Sequence, residues 1–337
     1  MICVALLFST AALKAPKSDG MKNELIFTAQ WQTGLFKPGD DVGALNPHVY
    51  RPEEFAVNDL VYEGLTAWDN TSPGVDGVFD TDDDFVTGAL ATSWVTNYDA
   101  VKADPALPYW IKFSLRKGVT FHDGQPWNAA AAVANFNHVV GTAARARKGF
   151  HDWYGLVFAM SSWEEVSEYE FKVTFSHYYS AAERELSQIR PFRMISPMQL
   201  PDIDSEGLSC TETFKNWGSY KCVGIKAPYG TGPYKIAAKR LANAATGASR
   251  LLPAQNFSAV CGVRDKARFT VCEYGPNETV SELIFEKFAD YTPTPTIVMP
   301  TFDKAIMRAY PDHGAVKAAL EDGSLDMAYG LSTLSPS

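Results

Sequence analysis

The stretch Ile111-Lys112-Phe113-Ser114-Leu115-Arg116-Lys117-Gly118-Val119-Thr120-Phe121 alternates apolar and polar residues, breaks at Lys117-Gly118, and then alternates again. A period of two puts Ile111, Phe113 and Leu115 on one face of a strand, and Lys117-Gly118 suits a turn, so the segment predicts a β-hairpin with one buried face. Asn128 then opens an alanine-rich stretch carrying Val133, Phe136 and Val140 on one helical face and ending at Gly141, which predicts a helix covering that sheet. Further on, Tyr169, Phe171, Val173 and Phe175 alternate with Glu170, Lys172 and Thr174, a second strand buried on one side.

Towards the N-terminus, Leu25-Ile26-Phe27-Thr28-Ala29 is an apolar run of strand length. A helix is expected after Pro52, with Glu53 and Glu54 at its positive end, Val57, Leu60 and Val61 on its apolar face, and Gly64 closing it. Residues 69–87 are rich in Gly, Asp and Thr without periodicity and read as a surface loop. Residues 241–279 lack a clear period and read as a long excursion. Ala315 to Glu321 predicts a helix stopped by Gly323, followed by strand positions Leu325, Met327 and Tyr329. Strands and helices intermix without internal repeats, so the class is α/β or α+β.

The net charge of −9 is spread along the chain, and no basic block interleaves with aromatics, so nucleic acid is not an expected partner. No internal apolar run reaches the roughly 20 residues of a membrane-spanning helix. The signatures of a nucleophile elbow, a zinc protease, a P-loop and a C-x-x-C redox pair are missing, which argues against those enzymes. Gly230-Thr231-Gly232-Pro233 reads as a tight turn before a strand. The histidines His48, His122, His138, His151, His177 and His313 show no metal-site spacing, and no cofactor is expected. Asp76, Asp80, Asp82, Asp83 and Asp84 read first as a solvated acidic loop; the alternative is a calcium site, because alternating Asp in a Gly-containing loop supplies hard oxygen ligands.

Residues 1–20 hold a candidate leader: Met1 to Phe8 is apolar and Ala11-Ala12 a small-residue exit, although no Lys or Arg precedes them, which leaves a frayed tail as the other reading. With Cys3 set aside, Cys210 and Cys222, then Cys261 and Cys272, form two locally spaced pairs that could each close a loop. Sequons stand at Asn70, Asn256 and Asn277. Together these favour an oxidising, secreted or periplasmic-type compartment.

Several segments, in order, resemble the family 5 extracellular solute-binding proteins, whose members bind dipeptides, oligopeptides or nickel complexes. They are Leu45-Asn46-Pro47-His48 with Tyr62-Glu63-Gly64-Leu65, then Leu90-Ala91-Thr92-Ser93-Trp94, and the most specific, Phe113 to Trp127. Gly230-Thr231-Gly232-Pro233-Tyr234 and Gly323-Ser324-Leu325-Asp326 complete the set. The resemblance implies a type II periplasmic-binding-protein fold, here the first lobe with its accessory subdomain. Lobe Ia would comprise residues 24–65 and 226–330, subdomain Ib residues 66–225, with 331–337 as a tail. It also implies a non-enzymatic function, solute capture for delivery to an ABC permease.

Within the family the chain is most similar to the nickel-binding branch, on Leu45 to Tyr50, His151-Asp152-Trp153 and Arg190 to Pro197. That likeness places Tyr50, Trp153 and Arg190 around a bound chelate, where an Arg fork pairs with carboxylates and the aromatic rings pack on its faces. The branch's second Arg has Phe150 at the nearest position, with Arg147 displaced. Nickel would enter as part of the chelate; a di- or oligopeptide is the close alternative ligand. Family members continue beyond Gly330 into a second lobe, so a half-site with weak binding is implied. A rival of another class is a secreted glycoprotein that keeps the scaffold for a protein-interaction or receptor role, which the cysteine-bearing stretches suit.

Overall fold

The computed structural model describes residues 23–31, 34–38, 45, 47–48, 55–69, 86–141, 155–188, 191–200, 227–254, 274, 277–294 and 300–330. The chain begins with strands β1 (Glu24–Trp31) and β2 (Gly34–Leu35), helix α1 (Phe55–Val61) and strand β3 (Thr66–Trp68). Next come β4 (Val86–Gly88), β5 (Ala91–Thr96), α2 (Tyr98–Ala103), β6 (Tyr109–Leu115) and α3 (Ala129–Val140). A short helix α4 (Gly155–Ala159) leads into β7 (Met160–Ser167) and β8 (Glu170–Phe175), followed by α5 (Ala182–Leu186). The remainder is β9 (Tyr234–Asn243), β10 (Ser249–Pro253), β11 (Glu278–Lys287), β12 (Lys304–Arg308), α6 (His313–Asp322) and β13 (Met327–Tyr329).

Seven strands form a mixed sheet in the order β10-β9-β11-β12-β1-β13, with β2 also paired to β1. One end of it is parallel: β1 runs beside β12 and β13, with Phe27 opposite both Met307 and Met327. A strand covered on both faces needs apolar residues throughout rather than in alternation. Ile26, Phe27, Thr28 and Ala29 are accordingly all buried. On one face Val316 and Ala319 of α6 pack with Ile26, Ile306 and Leu325. On the other, Val57 and Val61 of α1 pack with Phe27, Leu283, Phe285 and Met307. Helix α6 stops as its sequence predicts, Gly323 taking a left-handed φ of 77°, but starts two residues earlier than Ala315, where the Asp312 side chain accepts from the Ala315 amide at 2.8 Å.

The second sheet is antiparallel, in the order β5-β6-β8-β7. Register sets Tyr109, Ile111 and Phe113 of β6 opposite Phe175, Val173 and Phe171 of β8. These side chains are buried beneath α3, whose Phe136 ring meets Phe171 at 4.8 Å and Phe192 at 5.2 Å. Helix α3 is capped by Asn128, whose Oδ1 accepts from the Ala131 amide at 3.0 Å. Asn128→Ala is expected to cost about 1 kcal/mol in chemical denaturation, since one orphan helix donor loses its partner. A loss indistinguishable from zero would mean that solvent replaces the cap.

Three sequence expectations change. The hairpin at Lys117-Gly118 keeps its turn, with Gly118 at φ 74°, but the returning arm does not pair with β6. Both edges of β6 are taken by β5 and β8, so Val119 to Trp127 closes on itself, Phe121 N bonding Gln125 O and Trp127 N bonding Val119 O. The excursion from Leu241 is shorter than read: β9 runs to Asn243 and returns as β10. That turn is built by Asn243, whose Oδ1 accepts from Ala245 and Thr246, and by Gly247 at φ 71°. Finally, Gly64 ends no left-handed cap; a Cβ there would come within 3.1 Å of the Leu186 and Thr66 carbonyls, so close approach explains the glycine.

Candidate functional site

The two sheets meet along the segment 192–199, which is stitched to each neighbour in turn. Arg193, almost wholly buried, donates from Nη1 to Tyr62 O at 3.0 Å, from Nε to Gln188 O at 3.2 Å and from Nη2 to Asp59 Oδ1 at 3.3 Å. The Met194 amide bonds Glu63 O at 2.9 Å. Asn135 of α3 pairs with both backbone groups of Ile195, its Oδ1 accepting at 2.8 Å and its Nδ2 donating at 2.8 Å. Ser196 Oγ and Gln199 Nε2 both donate to Asp123 Oδ2, at 2.7 and 2.8 Å.

A buried histidine pair completes this junction. His48 Nε2 lies 2.7 Å from Arg193 O, and its Nδ1 2.8 Å from His138 Nδ1. A carbonyl only accepts, so the Nε2 of His48 carries the proton; its Nδ1 then accepts from His138 Nδ1–H. Burial holds the His48 imidazole neutral, down to about 4, against the pull of the Arg193 carbonyl and Asn135. No spacing signal joins positions 48 and 138; docking of α3 brings them together.

Beside it, Glu63 is buried and accepts from Tyr291 Oη at 3.2 Å. Burial pushes its carboxyl up to about 7, against the Thr231 and Tyr291 hydroxyls and the Arg116 and Arg193 guanidinium groups. Thr231 Oγ1 stays outside normal hydrogen-bond geometry and acts on Glu63 only as a nearby dipole. Arg116 Nη1 holds the same loop through Pro293 O at 2.7 Å. The G-T-G-P turn seats against the end of α1: a Cβ on Gly230 would come within 2.1 Å of Val61 O, and one on Gly232 within 2.6 Å of Leu60 O. Its glycines therefore serve contact, and neither takes a positive φ. His122 closes over it, its amide bonding Gly230 O and its Nε2 donating to Gly232 O, both at 2.9 Å; burial lowers its imidazole to about 4.

Tyr50, Trp153 and Arg190 lie outside the described residues, as do Asp76, Asp80, Asp82, Asp83 and Asp84 and the cysteines Cys210, Cys222, Cys261 and Cys272. Of the three sequons, that at Asn277 is described, with Asn277 exposed at φ 61°. The flanks of the three ligand candidates are nonetheless tied together. His48, two positions before Tyr50, is bonded to Arg193, three positions after Arg190. Leu156, three positions after Trp153, donates its amide to Glu185 Oε2 at 2.7 Å, and Glu185 Oε1 accepts from Tyr179 Oη at 2.8 Å. Gly155 lies so close to that tyrosine that a Cβ would stand 2.3 Å from its hydroxyl. Gln188, two positions before Arg190, is held through its carbonyl by Arg193. Two stretches distant in sequence, around His48 and Leu156, thus converge on the segment from Tyr179 to Arg193, which itself flanks Arg190.

Residues 86–243, which include the four-stranded sheet and this junction, match the model of the bacterial extracellular solute-binding proteins, family 5 Middle. Over 201 residues, 60% of this chain and 30% of the relative, the sequence is 31% identical to the nickel-binding periplasmic protein of Escherichia coli K12. Over residues 86–243 the chain is similar to family 5 of the bacterial extracellular solute-binding proteins. That is a family of binding proteins rather than enzymes, whose homologues are periplasmic. The likeness in fold extends further than the matched region. NikA of Brucella suis, solved in complex with Fe(III)-EDTA, superposes with a TM-score of 0.56 at 25% identity, covering 90% of this chain and 42% of NikA. DppA of Helicobacter pylori, solved with the peptide STSA, shares the fold at a TM-score of 0.52 and 18% identity, over 90% of this chain and 45% of DppA. The chain therefore spans less than half the length of these relatives. Among its described residues no helix is long and apolar enough to cross a membrane.

Proposed function

We propose that this protein captures a small solute outside the cytoplasm and hands it to an ABC permease, the solute being a nickel chelate or a short peptide. In this reading Arg190 pairs with the solute's carboxylates, while Tyr50 and Trp153 pack on its faces. The observation that carries it is the convergence of the stretches flanking Tyr50 and Trp153 on Tyr179 to Arg193, which flanks Arg190, in a chain 31% identical over 201 residues to a nickel-binding periplasmic protein. Residues 24–65 with 226–330, which include the seven-stranded sheet, would be lobe Ia, and 66–225, with the four-stranded sheet, subdomain Ib. The nickel assignment is favoured over peptide by the Arg190 to Pro197 and Leu45 to Tyr50 segments, since the other matched motifs suit both ligands equally.

The test is ligand-observed NMR, which also reads weak binding, with parallel panels of nickel chelates and dipeptides on wild type and Arg190→Ala. Loss of the charged partner is expected to cost about 2 kcal/mol, a roughly thirtyfold weaker affinity. Equal affinity in the two proteins would move the anion anchor elsewhere. Binding of neither panel by the wild-type chain would count against solute capture.

A further inference from the structure

A group of side chains that solute capture leaves unused gathers where α2, β6 and α5 meet. Tyr98 of α2 and Tyr178, after β8, lie ring against ring, their centroids 4.9 Å apart and planes at 47°. Both rings are exposed, by 40% and 43%. Buried Tyr109, at the start of β6, meets Tyr178 edge-on at 5.1 Å and lies with its hydroxyl 3.5 Å from Glu183 Oε1, the long limit of a hydrogen bond.

Glu183 has no Lys or Arg partner among the described residues. The neighbouring Arg184 guanidinium stands 6.0 Å over the Trp68 ring. Burial raises the Glu183 carboxyl above the usual range; burial also pushes the Tyr178 and Tyr109 phenols upward, with a smaller contribution from the Glu183 carboxylate. A carboxylate desolvated against aromatic rings without a counter-charge is a strong acceptor for a cation that can shed its own water. Ring faces carry negative quadrupole and favour poorly hydrated organic cations, whereas a hard metal ion needs several oxygen ligands.

We propose that Glu183, with Tyr98 and Tyr178, is a surface binding site for an organic cation, an alkylammonium or guanidinium group. The group could belong to a free small molecule or to a Lys or Arg side chain of another protein. Tyr109 acts in it as a positioning residue, its ring supporting Tyr178 and its hydroxyl holding the carboxylate.

The test is NMR titration of the full chain, with its tyrosine rings labelled, using tetramethylammonium, N-acetyl-argininamide and the neutral N-acetyl-glutaminamide. Saturable shifts of Tyr98 and Tyr178 with both cations and none with the amide are expected, and Glu183→Gln should weaken binding by about tenfold or more. A stronger response to the arginine derivative would point to a protein side chain as the natural source, a stronger one to tetramethylammonium to a small molecule. Equal shifts with the neutral amide, or an unchanged titration in Glu183→Gln, would overturn the site. Should that variant unfold by circular dichroism, Tyr178→Leu, which removes an exposed ring, replaces it, and unaltered cation binding there would equally overturn it. Repeating the titration on Arg190→Ala separates this site from solute capture, because the Glu183 response should survive the loss of Arg190.

Discussion

Replacing Arg193 by alanine is expected to lower the free energy of unfolding by about 3 kcal/mol, the largest loss from any single side chain at the junction. Its guanidinium is sealed in the protein, and three different partners depend on it: the carbonyls of Tyr62 and Gln188 and the carboxylate of Asp59. The Asp59 side chain keeps 40% of its surface exposed, so water can replace that contact; most of the loss comes from two carbonyls stranded without a donor. The contrasting control is Arg250→Ala. Arg250 makes a two-bonded pair with Glu278, at 2.8 and 2.7 Å, but half its side chain is in water. An exposed pair of this kind contributes at most about 1 kcal/mol. Urea unfolding of both variants decides the matter: if Arg193→Ala costs no more than Arg250→Ala, the junction is not held by buried donors.

How much of this was legible beforehand depended on whether an element shows one face to solvent. Phe113 and Phe171 announce β6 and β8 because each strand buries every second residue, and the period survives in the sequence. Strand β7 carries no such pattern, since as an edge strand it buries little beyond Met160, so Ser161 to Ser167 gives no strand signal. Strand β11 is buried but escapes the reading for another reason: register shifts at Val280/Glu282 and Ile284/Phe285 break the alternation that would mark it. Helices α3 and α6 were visible through Asn128 and Gly323, residues whose chemistry is spent locally. The junction was not. His48 and His138, or Glu63 and Tyr291, become partners only through tertiary packing, and neither pair has a local spacing to betray it. The proposed Tyr50, Trp153 and Arg190 came from likeness to a family, because single aromatic and Arg residues carry no periodic signal of their own.

The same buried groups set how stability responds to acid. His48 and His122 are neutral in the folded chain, each lowered to about 4 from an ordinary value near 6.5. Their contribution is fully present above pH 6.5 and is lost as pH falls towards 4, because the unfolded chain takes up both protons first. Glu63 works in the opposite sense: raised from about 4.5 to about 7, it favours the folded state below pH 4.5 and loses that advantage as pH rises through 7. Between pH 6.5 and 4.5 the unfolded chain therefore binds up to two extra protons at the histidines, and the folded chain about one at Glu63. The net difference of about one proton makes these groups lower the unfolding free energy by about 2 kcal/mol over that interval, with their joint optimum close to neutrality. Glu63→Gln removes the opposing proton, so the acid loss should steepen to about 4 kcal/mol over the same two pH units. The variant should also gain on wild type above pH 7, where the buried carboxyl must ionise. Denaturant unfolding at half-unit pH intervals reads both slopes; parallel curves for wild type and Glu63→Gln would show that Glu63 titrates in the folded chain as it does in water, and that the burial of its carboxyl at the junction has no energetic consequence.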